Sequence, residues 1–212
     1  MEPLYPAYLD ISGRPVLVVG AGTVAARKIG RLTECGAEVT VIAPEVCETT
    51  RRLARDHDID IRTRNYRDGD VEGAWLVVAA TGREEVNRRV SADAERAGVF
   101  CNVVDVPALC SFQVPAIVRR GLLQLAISTG GASPGLARRL RKRLEEEFGP
   151  GYGELLKGLR ELRDHIQAKY PKDAGRRRDI LVGFLDSSAP DVLLEDGDVE
   201  AFEAKLEQWK LR

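Results

Sequence analysis

The sequence predicts an α/β fold in which a doubly wound parallel sheet is followed by a short middle segment and a helical C-terminal domain. Three observations support this prediction. Short β-branched runs alternate with amphipathic helical stretches from residue 14 to about 105, a glycine loop follows the first run, and the last part of the chain has helical periodicity alone. The expected parts are residues 1–113, 114–148 and 149–212.

The first part contains five predicted strands. The run Arg14–Gly20 predicts a buried strand, and Trp75–Ala80 is continuously apolar, as in a central strand that is covered on both faces. Ile59–Arg62 alternates apolar and polar residues, as a more exposed strand would. The other strands are predicted at 38–43 and 100–104, and the helices at 23–35, 46–56 and 84–97. Strands that alternate with helices predict a parallel sheet.

The pattern changes after residue 113. Leu122–Ser128 predicts one more strand, and the small residues 129–132 predict a turn. Ser133 and Pro134 then open a helix as its N-cap and its first helical residue. This helix is expected to run to Phe148, before a Gly-Pro-Gly break. Further helical stretches are predicted around 155–170, 180–185 and 199–209.

The composition argues against several classes of function. The chain of 212 residues carries 32 basic and 33 acidic side chains, so its net charge of -1 gives no overall attraction to nucleic acid or to a membrane surface. Its apolar runs are too short to cross a bilayer, and the N-terminus lacks a signal-peptide pattern. The four cysteines have neither CxxC spacing nor nearby histidine pairs, which indicates reduced thiols and no metal site. We expect a cytoplasmic protein.

The loop from Gly20 to Ala25 predicts a dinucleotide site in a Rossmann-type domain. It follows a strand and opens a helix, which is the context that this motif requires. Gly20 permits a tight turn, Gly22 lets the backbone approach a pyrophosphate, and Ala25 lets the helix pack closely on the strand. The helix N-terminus adds a positive field. The alternative is a glycine turn that binds nothing.

The end of the second strand bears on the choice of cofactor. An Asp or Glu there usually binds the ribose of NAD. Ala43 and Pro44 hold that place here, with Glu45 next. Glu45 is able to reach the ribose, and residues 43–46 contain no arginine for the 2′-phosphate of NADP. NAD is therefore the expected cofactor.

Asp105 is a candidate catalytic residue. It follows the strand at 100–104, and ligands of doubly wound sheets lie at the carboxyl ends of the strands. A carboxylate there acts as a general base or only caps the turn before Pro107. The residues themselves leave both interpretations open.

Several motifs together resemble precorrin-2 dehydrogenase, the NAD-dependent module that also forms the N-terminal part of siroheme synthases. The resemblance covers residues 5 to about 148. The motifs occur in the order Gly20-Ala21-Gly22-Thr23-Val24-Ala25-Ala26-Arg27-Lys28, Ala79-Ala80-Thr81, Val86-Asn87, Phe100-Cys101-Asn102-Val103-Val104-Asp105, Ser111-Phe112 and Thr129-Gly130-Gly131-Ala132-Ser133-Pro134.

The resemblance implies oxidation of precorrin-2 to sirohydrochlorin with NAD as hydride acceptor, and in some members ferrochelatase activity as well. It places the essential aspartate at Asp105 and implies a homodimer joined through the middle segment. The cofactor contacts that we predict from the loop and from the resemblance are Gly20, Gly22, Thr23, Val24, Ala25, Pro44, Glu45 and Thr81.

Precorrin-2 carries many carboxylates, so its site needs cations and helix N-termini. The predicted substrate contacts are Asn102, Gly130, Gly131, Ser133, Arg138 and Arg141. Helical spacing places Arg138, Arg141 and Lys142 on one side of the Ser133 helix, and Arg119 and Arg120 are candidates to join them. The alternative is a solvated basic face opposite Glu145–Glu147. The run Arg176–Arg178 indicates a surface run near a helix start, with substrate contact as the alternative. His57 and His165 have no Cys or His partner at ligand spacing, which indicates structural or solvated residues.

Two other functions compete with this one. A regulatory NAD-binding module of the potassium-transport type also begins with a glycine loop, but it usually has an acidic residue after the second strand, where this chain has Ala43. A dehydrogenase of another small substrate needs a Tyr–Lys or His–Asp pair, and the sequence offers none. The regulatory module also has no place for the basic helix that follows Gly130 and Gly131.

Overall fold

The computed structural model describes residues 4–211, which divide into two compact units after Val114. The elements of the first unit are β1 (Pro15–Val19), α1 (Thr23–Glu34), β2 (Glu38–Ile42), α2 (Glu48–His57), β3 (Asp60–Arg62), β4 (Leu76–Ala79), α3 (Glu84–Ala97) and β5 (Phe100–Val103), with a 3-10 turn at Pro107–Leu109. The first unit ends at Val114 and the second begins at Pro115. The predicted boundaries at 113/114 and 148/149 stay predictions.

The described part of the first unit forms a five-stranded sheet in the order β3-β2-β1-β4-β5. Every pairing is parallel, and Val16 of β1 lies between Val39 of β2 and Leu76 of β4. The chain builds β1, β2 and β3 in one direction and then returns to add β4 on the other side of β1. The gap between β1 and β4 is thus the topological switch point where such sheets bind ligands. The doubly wound fold is confirmed.

Burial follows the hydrophobic patterns of the strands. All of β4 is buried, whereas β3 at the sheet edge has only its central residue partly covered. Alternate residues of β1 pack on opposite faces, with Val16 and Val18 against Ala25 and Ile29 of α1. Leu17 and Val19 belong to the core on the other face, which includes residues of α3. Two helical layers therefore cover the sheet.

The second unit comprises a hairpin and five helices within residues 115–211. Its elements are β6 (Ala116–Arg120), β7 (Leu123–Ile127), α4 (Pro134–Glu147), α5 (Gly151–Lys169), α6 (Ala174–Leu185), α7 (Ala189–Leu194) and α8 (Val199–Lys210). β6 and β7 are antiparallel. The sequence predicted β7 alone, because Arg119 and Arg120 interrupt the apolar pattern of β6. The helical C-terminal region is confirmed, and its core includes Leu162, Ile166, Phe184 and Phe202.

Between residues 4 and 211, no helix has both the length and the apolar composition that crossing a lipid bilayer requires.

Candidate active site

The carboxyl ends of four strands bring the predicted residues of the first unit to one edge. The N–H of Gly20 donates to Ile42 O (2.9 Å), that of Ala80 to Val19 O (2.8 Å), and that of Val104 to Ala79 O (2.9 Å). These bonds keep adjacent strands in register to their last residue. The glycine loop, Pro44, Thr81 and Asp105 each follow one of these strands directly.

Gly20 has no room for a side chain. Its φ is +110°, which L residues with a Cβ rarely adopt, and an added Cβ would lie 2.4 Å from the carbonyl oxygen of Ala80. The loop thus crosses the end of β4 in direct backbone contact. The turn predicted at Gly20 is present, and close approach to β4 is a second reason for the glycine.

The start of α1 is open toward solvent. Gly22 is its N-cap, no side chain caps its first N–H groups, and the first turn holds no acidic residue. A Cβ added at Gly22 would meet no atom within 4 Å. Thr23 and Val24 are exposed, whereas Ala25 is fully buried against the sheet. Free N–H groups and an unscreened helix dipole are what a pyrophosphate requires.

Two residues at the start of α2 hold the loop, and no sequence motif predicted them. The carbonyl oxygen of Ala21 accepts the N–H of Cys47 (3.0 Å) and the hydroxyl of Thr50 (3.1 Å). Thr50 is fully buried. The Cys47 thiol lies 3.4 Å from Thr50 Oγ1, and this hydrogen bond lowers the pKa of the thiol. The loop is therefore anchored to the start of α2.

The positions predicted to contact the ribose lie at the end of β2. Ala43 is buried, and Pro44 and Glu45 are exposed. Glu45 is thus the first accessible carboxylate after the strand, as its proposed role requires.

Thr81 lies after β4, next to the glycine loop. Its hydroxyl lies 2.7 Å from Oδ1 of Asn87, and Nδ2 of Asn87 donates to the Thr81 carbonyl (3.1 Å). The Thr81 hydroxyl also accepts the N–H of Arg83 (3.1 Å). Because Asn87 is buried in α3, these bonds hold the loop after β4 on that helix. Asn87 belongs to the predicted motifs, and the structure explains its presence there.

Asp105 has a backbone conformation that few non-glycine residues adopt. Its φ is +62°, within a turn closed by the N–H of Val106 on Val103 O (3.2 Å). The side chain is exposed, and its carboxylate accepts no hydrogen bond from residues 4–211. A capping carboxylate would accept a backbone N–H, so this geometry favours the general base over the turn cap.

Lys28 of α1 is a charged neighbour of Asp105. Burial lowers the pKa of Lys28, and the positive charges of Arg31 and Arg27 lower it further, whereas the Asp105 carboxylate opposes the shift. The end of β5 and the second turn of α1 therefore place opposite charges near each other.

Hydrogen bonds between β5 and residues 110–112 hold the loop that carries Asp105. Nδ2 of Asn102 donates to Phe112 O (3.0 Å), and the N–H of Cys101 donates to Oγ of Ser111 (2.8 Å). The N–H of Val103 donates to Sγ of Cys110 (3.2 Å). Asn102 is only 8% exposed. Its amide nitrogen is thus engaged inside the protein, and its predicted contact with substrate stays a prediction.

The remaining predicted residues belong to the second unit. Gly130 and Gly131 form a turn with φ of +60° and +82°. Oγ1 of Thr129 accepts the N–H of Ser133 (3.2 Å), and Oγ of Ser133 accepts the N–H of Leu136 (3.2 Å), which makes Ser133 the N-cap of α4. The predicted cap and the turn are thus both present.

The basic residues of this unit divide into two groups. Arg138 is exposed, whereas Arg141 forms an ion pair with Glu145 one turn further along α4. Arg120 donates to the carbonyl oxygens of Phe148 (2.8 Å) and Glu145 (2.8 Å). Arg120 therefore caps the C-terminus of α4, and the expectation that it joins Arg138, Arg141 and Lys142 in an anion site stays a prediction.

Within the described residues, no group of three or more His, Cys, Asp or Glu side chains is arranged to hold a metal ion. The four cysteines are free thiols.

Two family models match the chain. The model described as "Putative NAD(P)-binding" matches residues 7–116, and the model described as "Sirohaem biosynthesis protein central" matches residues 120–147. The first match covers the parallel sheet with its edge loops, and the second covers β7 and α4. These matches agree with the resemblance drawn from the motifs.

Curated relatives are siroheme synthases. The protein of Nitrosospira multiformis is 42% identical over 177 residues, which are 82% of this chain and 38% of the relative. The protein of Psychrobacter sp. is 35% identical over 204 residues, which are 96% of this chain and 42% of the relative. The chain thus spans about two fifths of the length of these relatives.

A solved structure named SirC, precorrin-2 dehydrogenase, is similar along the whole chain. It has a TM-score of 0.79 at 27% identity, and the match covers 99% of this chain and 100% of that chain. The similarity includes both units.

Proposed function

We propose, from the premise that this chain belongs to the NAD(P)-binding family whose model it matches, that it oxidises precorrin-2 to sirohydrochlorin with NAD as hydride acceptor. The observation that carries the proposal is the position of Asp105. An exposed carboxylate that accepts no hydrogen bond from residues 4–211 lies at the same sheet edge as an open phosphate loop, in a chain similar throughout to a precorrin-2 dehydrogenase.

The loop residues fit NAD. Gly20 lets the loop lie on β4, Gly22 leaves space in front of the helix N-terminus, and the N–H groups of Thr23 and Val24 belong to the uncapped first turn. Pro44 and Glu45 would hold the ribose, and Thr81 would line the same site. Ala25 is fully buried, so its role would be to let α1 pack closely on the sheet. Bound NAD supplies the hydride acceptor. Since residues 43–46 contain no cation for a 2′-phosphate, we propose NAD rather than NADP.

Asp105 would remove the proton. Dehydrogenation of the macrocycle takes away a hydride and a proton, so a base must accept the proton as the hydride leaves. The exposed Asp105 carboxylate accepts no hydrogen bond from the described residues, and the positively charged Lys28 lies near it. The two hydrogens are then accounted for, as NADH and a protonated carboxyl group.

Substrate carboxylates require cations, and the second unit offers them. The residues proposed for this role are Gly130, Gly131, Ser133, Arg138 and Arg141. Support comes from the exposed side chain of Arg138 and from the N-terminus of α4. The ion pair of Arg141 with Glu145 makes Arg138 the stronger candidate of the two arginines.

We also propose a homodimer. α4 has no buried residue although it carries Leu136, Ala137, Leu140 and Leu144, and Leu136 is 48% exposed. An apolar helix face of this kind is stabilised when a second copy covers it.

Two further possibilities differ in their support. Ferrochelatase activity stays a prediction, and its test is the rate of metal insertion into sirohydrochlorin with and without the protein. The regulatory potassium-transport module has no observation in its favour in the fold or in the relatives named above. Location in the cytoplasm stays a prediction.

The proposed reaction is tested directly. Purified protein with NAD and freshly prepared precorrin-2 is expected to form sirohydrochlorin and NADH in equal amounts, followed by their absorption spectra. Protein that binds NADH but yields neither product would overturn the substrate and leave the cofactor assignment in place.

A substitution at Gly22 can change the cofactor site without destabilising the fold. Its backbone is extended (φ -80°), so Gly22→Asp introduces a favourable N-cap and a negative charge together. We expect an unchanged or higher Tm and a loss of NADH affinity of about tenfold or more, because the carboxylate repels the pyrophosphate. Gly22→Asn has the same size without the charge and should lose less. Equal affinities of the two variants would contradict an anion site at this position.

A further inference from the structure

The orientation of one peptide plane in the phosphate loop depends on α2. The carbonyl of Ala21 lies outside the hydrogen-bond ladder of α1, whose first bond runs from the N–H of Ala26 to Gly22 O (2.9 Å). Ala21 is 2% exposed, so this carbonyl needs partners within the protein. It has two, the N–H of Cys47 and the hydroxyl of Thr50.

A planar trans peptide couples this carbonyl to the ligand side of the loop. The C=O of Ala21 and the N–H of Gly22 belong to one peptide unit and point to opposite sides. While α2 holds the carbonyl, the N–H of Gly22 is directed away from α2. A rotated Ala21–Gly22 peptide would instead turn a carbonyl dipole toward a bound pyrophosphate, where it would repel the negative charge.

We propose that Thr50 is a positioning residue for dinucleotide binding, because its buried hydroxyl holds the Ala21–Gly22 peptide in the orientation that favours an anion. The inference rests on the proposed use of the loop for NAD. Thr50 lies 29 positions from Ala21 and acts through the loop backbone. Its side chain is fully buried, so its hydroxyl does not touch the ligand and acts through the atoms that it binds, the Ala21 carbonyl and the Cys47 thiol.

The first test replaces the hydroxyl by a methyl group of the same shape. Thr50→Val is expected to raise the Kd for NADH and the KM for NAD about three- to tenfold, the effect of one lost hydrogen bond, with kcat within about twofold of wild type. Thr50→Ser keeps the hydroxyl and should restore both constants to within about twofold. A purely structural anchor would lower Tm without this separation of KM from kcat.

Thr33 provides the control. Its hydroxyl donates within its own helix, to Gly30 O (2.9 Å) and Ile29 O (3.2 Å). Thr33→Val therefore removes a comparable bond at a site that does not touch the loop carbonyl. Its Kd for NADH should equal that of wild type.

A second variant removes the other donor. Cys47 has φ -73°, which proline adopts, so Cys47→Pro deletes the N–H with little change in the backbone and should also raise the Kd for NADH. If Thr50→Val does not fold, the Kd of Cys47→Pro for NADH tests the inference instead. Wild-type affinity in both variants, or an equal loss in Thr33→Val, would overturn the inference. Wild-type protein that binds no NADH would overturn the proposed function instead.

Discussion

Asp105 occupies a conformation that its own side chain disfavours. A non-glycine residue at φ +62° costs about 1–2 kcal/mol relative to ordinary backbone regions, and Gly or Asn tolerates it better. The turn after β5 would therefore be more stable with another residue. An exposed carboxylate retained at such a position agrees with a chemical role, since it contributes nothing to the hydrogen bonding of the turn.

Substitutions at Asp105 are expected to separate stability from activity. Asp105→Gly should raise the free energy of unfolding by about 1 kcal/mol, and Asp105→Asn should leave it unchanged or higher, while both abolish sirohydrochlorin formation. Urea unfolding and the dehydrogenase assay measure the two effects.

Asp58 is the matched control for this experiment. It is an exposed aspartate at φ +52°, just after α2. Asp58→Gly should give a similar gain in stability with full activity. If Asp105→Asn remained fully active, the assignment of the base would be wrong.

At the scale of elements, the connection between β3 and β4 is held by one buried polar contact with α3. The hydroxyl of Tyr66 donates to Oδ2 of Asp93 (2.6 Å), and Arg96 pairs with the other carboxylate oxygen. Tyr66 and Asp93 are both buried. Burial and the hydrogen bond to Asp93 raise the pKa of Tyr66. The segment thus depends on a protonated tyrosine.

Tyr66→Phe is expected to lower the free energy of unfolding by about 1–3 kcal/mol near neutral pH, because it leaves a buried carboxylate oxygen without its donor. The unfolded chain ionises its tyrosine near pH 10 and the folded protein does so only at higher pH, so wild-type stability falls as pH rises above 10. The difference between wild type and Tyr66→Phe should therefore shrink there. Urea unfolding at pH 8 and above pH 10 tests this, and a constant difference would refute it.

The sequence predicted those elements whose signal is local. The buried strands β1 and β4 and the capped helix α4 follow from apolar runs and from Ser133 and Pro134, which lie within a few residues of the structure they specify. β6 was missed because two arginines end its short apolar run. α7 was missed because a helix of one or two turns has too few residues to show periodicity.

The residues of the candidate site also divide into those that a local sequence signal predicts and those that depend on distant contacts. Gly20, Gly22 and Asp105 were predicted because a motif and a strand end mark them. Thr50 was not, because its partner lies 29 positions away and only the folded chain brings the two together. The bonds of Arg120 to Phe148 O and Glu145 O were not predicted either, because they require the hairpin to reach the end of α4.

At the scale of the whole molecule, the two units differ in how complete their cores are. The sheet of the first unit is covered on both faces by its own helices. In the second unit, α5, α6, α7 and α8 surround a core, whereas α4 buries no residue. α4 is therefore the helix that a partner subunit would cover in the proposed dimer.

Leu136→Glu is expected to shift the protein from dimer to monomer, because it places a charge in the proposed apolar interface. Light scattering after size-exclusion chromatography measures the mass. Val182 in α6 has the same exposure as Leu136, 48%, so Val182→Glu is a control with an equal change at another surface. A wild-type monomer, or dimers of both variants, would contradict the proposed interface.

The contact between Gly20 and the Ala80 carbonyl has a consequence for how the loop can diverge. The fold requires glycine at position 20, because a side chain there would clash with the end of β4. Gly22 faces open space, so only a bound ligand would restrict the residue at that position. A descendant that lost its cofactor would therefore keep the first glycine and be free to replace the second. The two glycines of this motif are thus under different constraints: Gly20 is needed for folding, and Gly22 is needed for ligand binding.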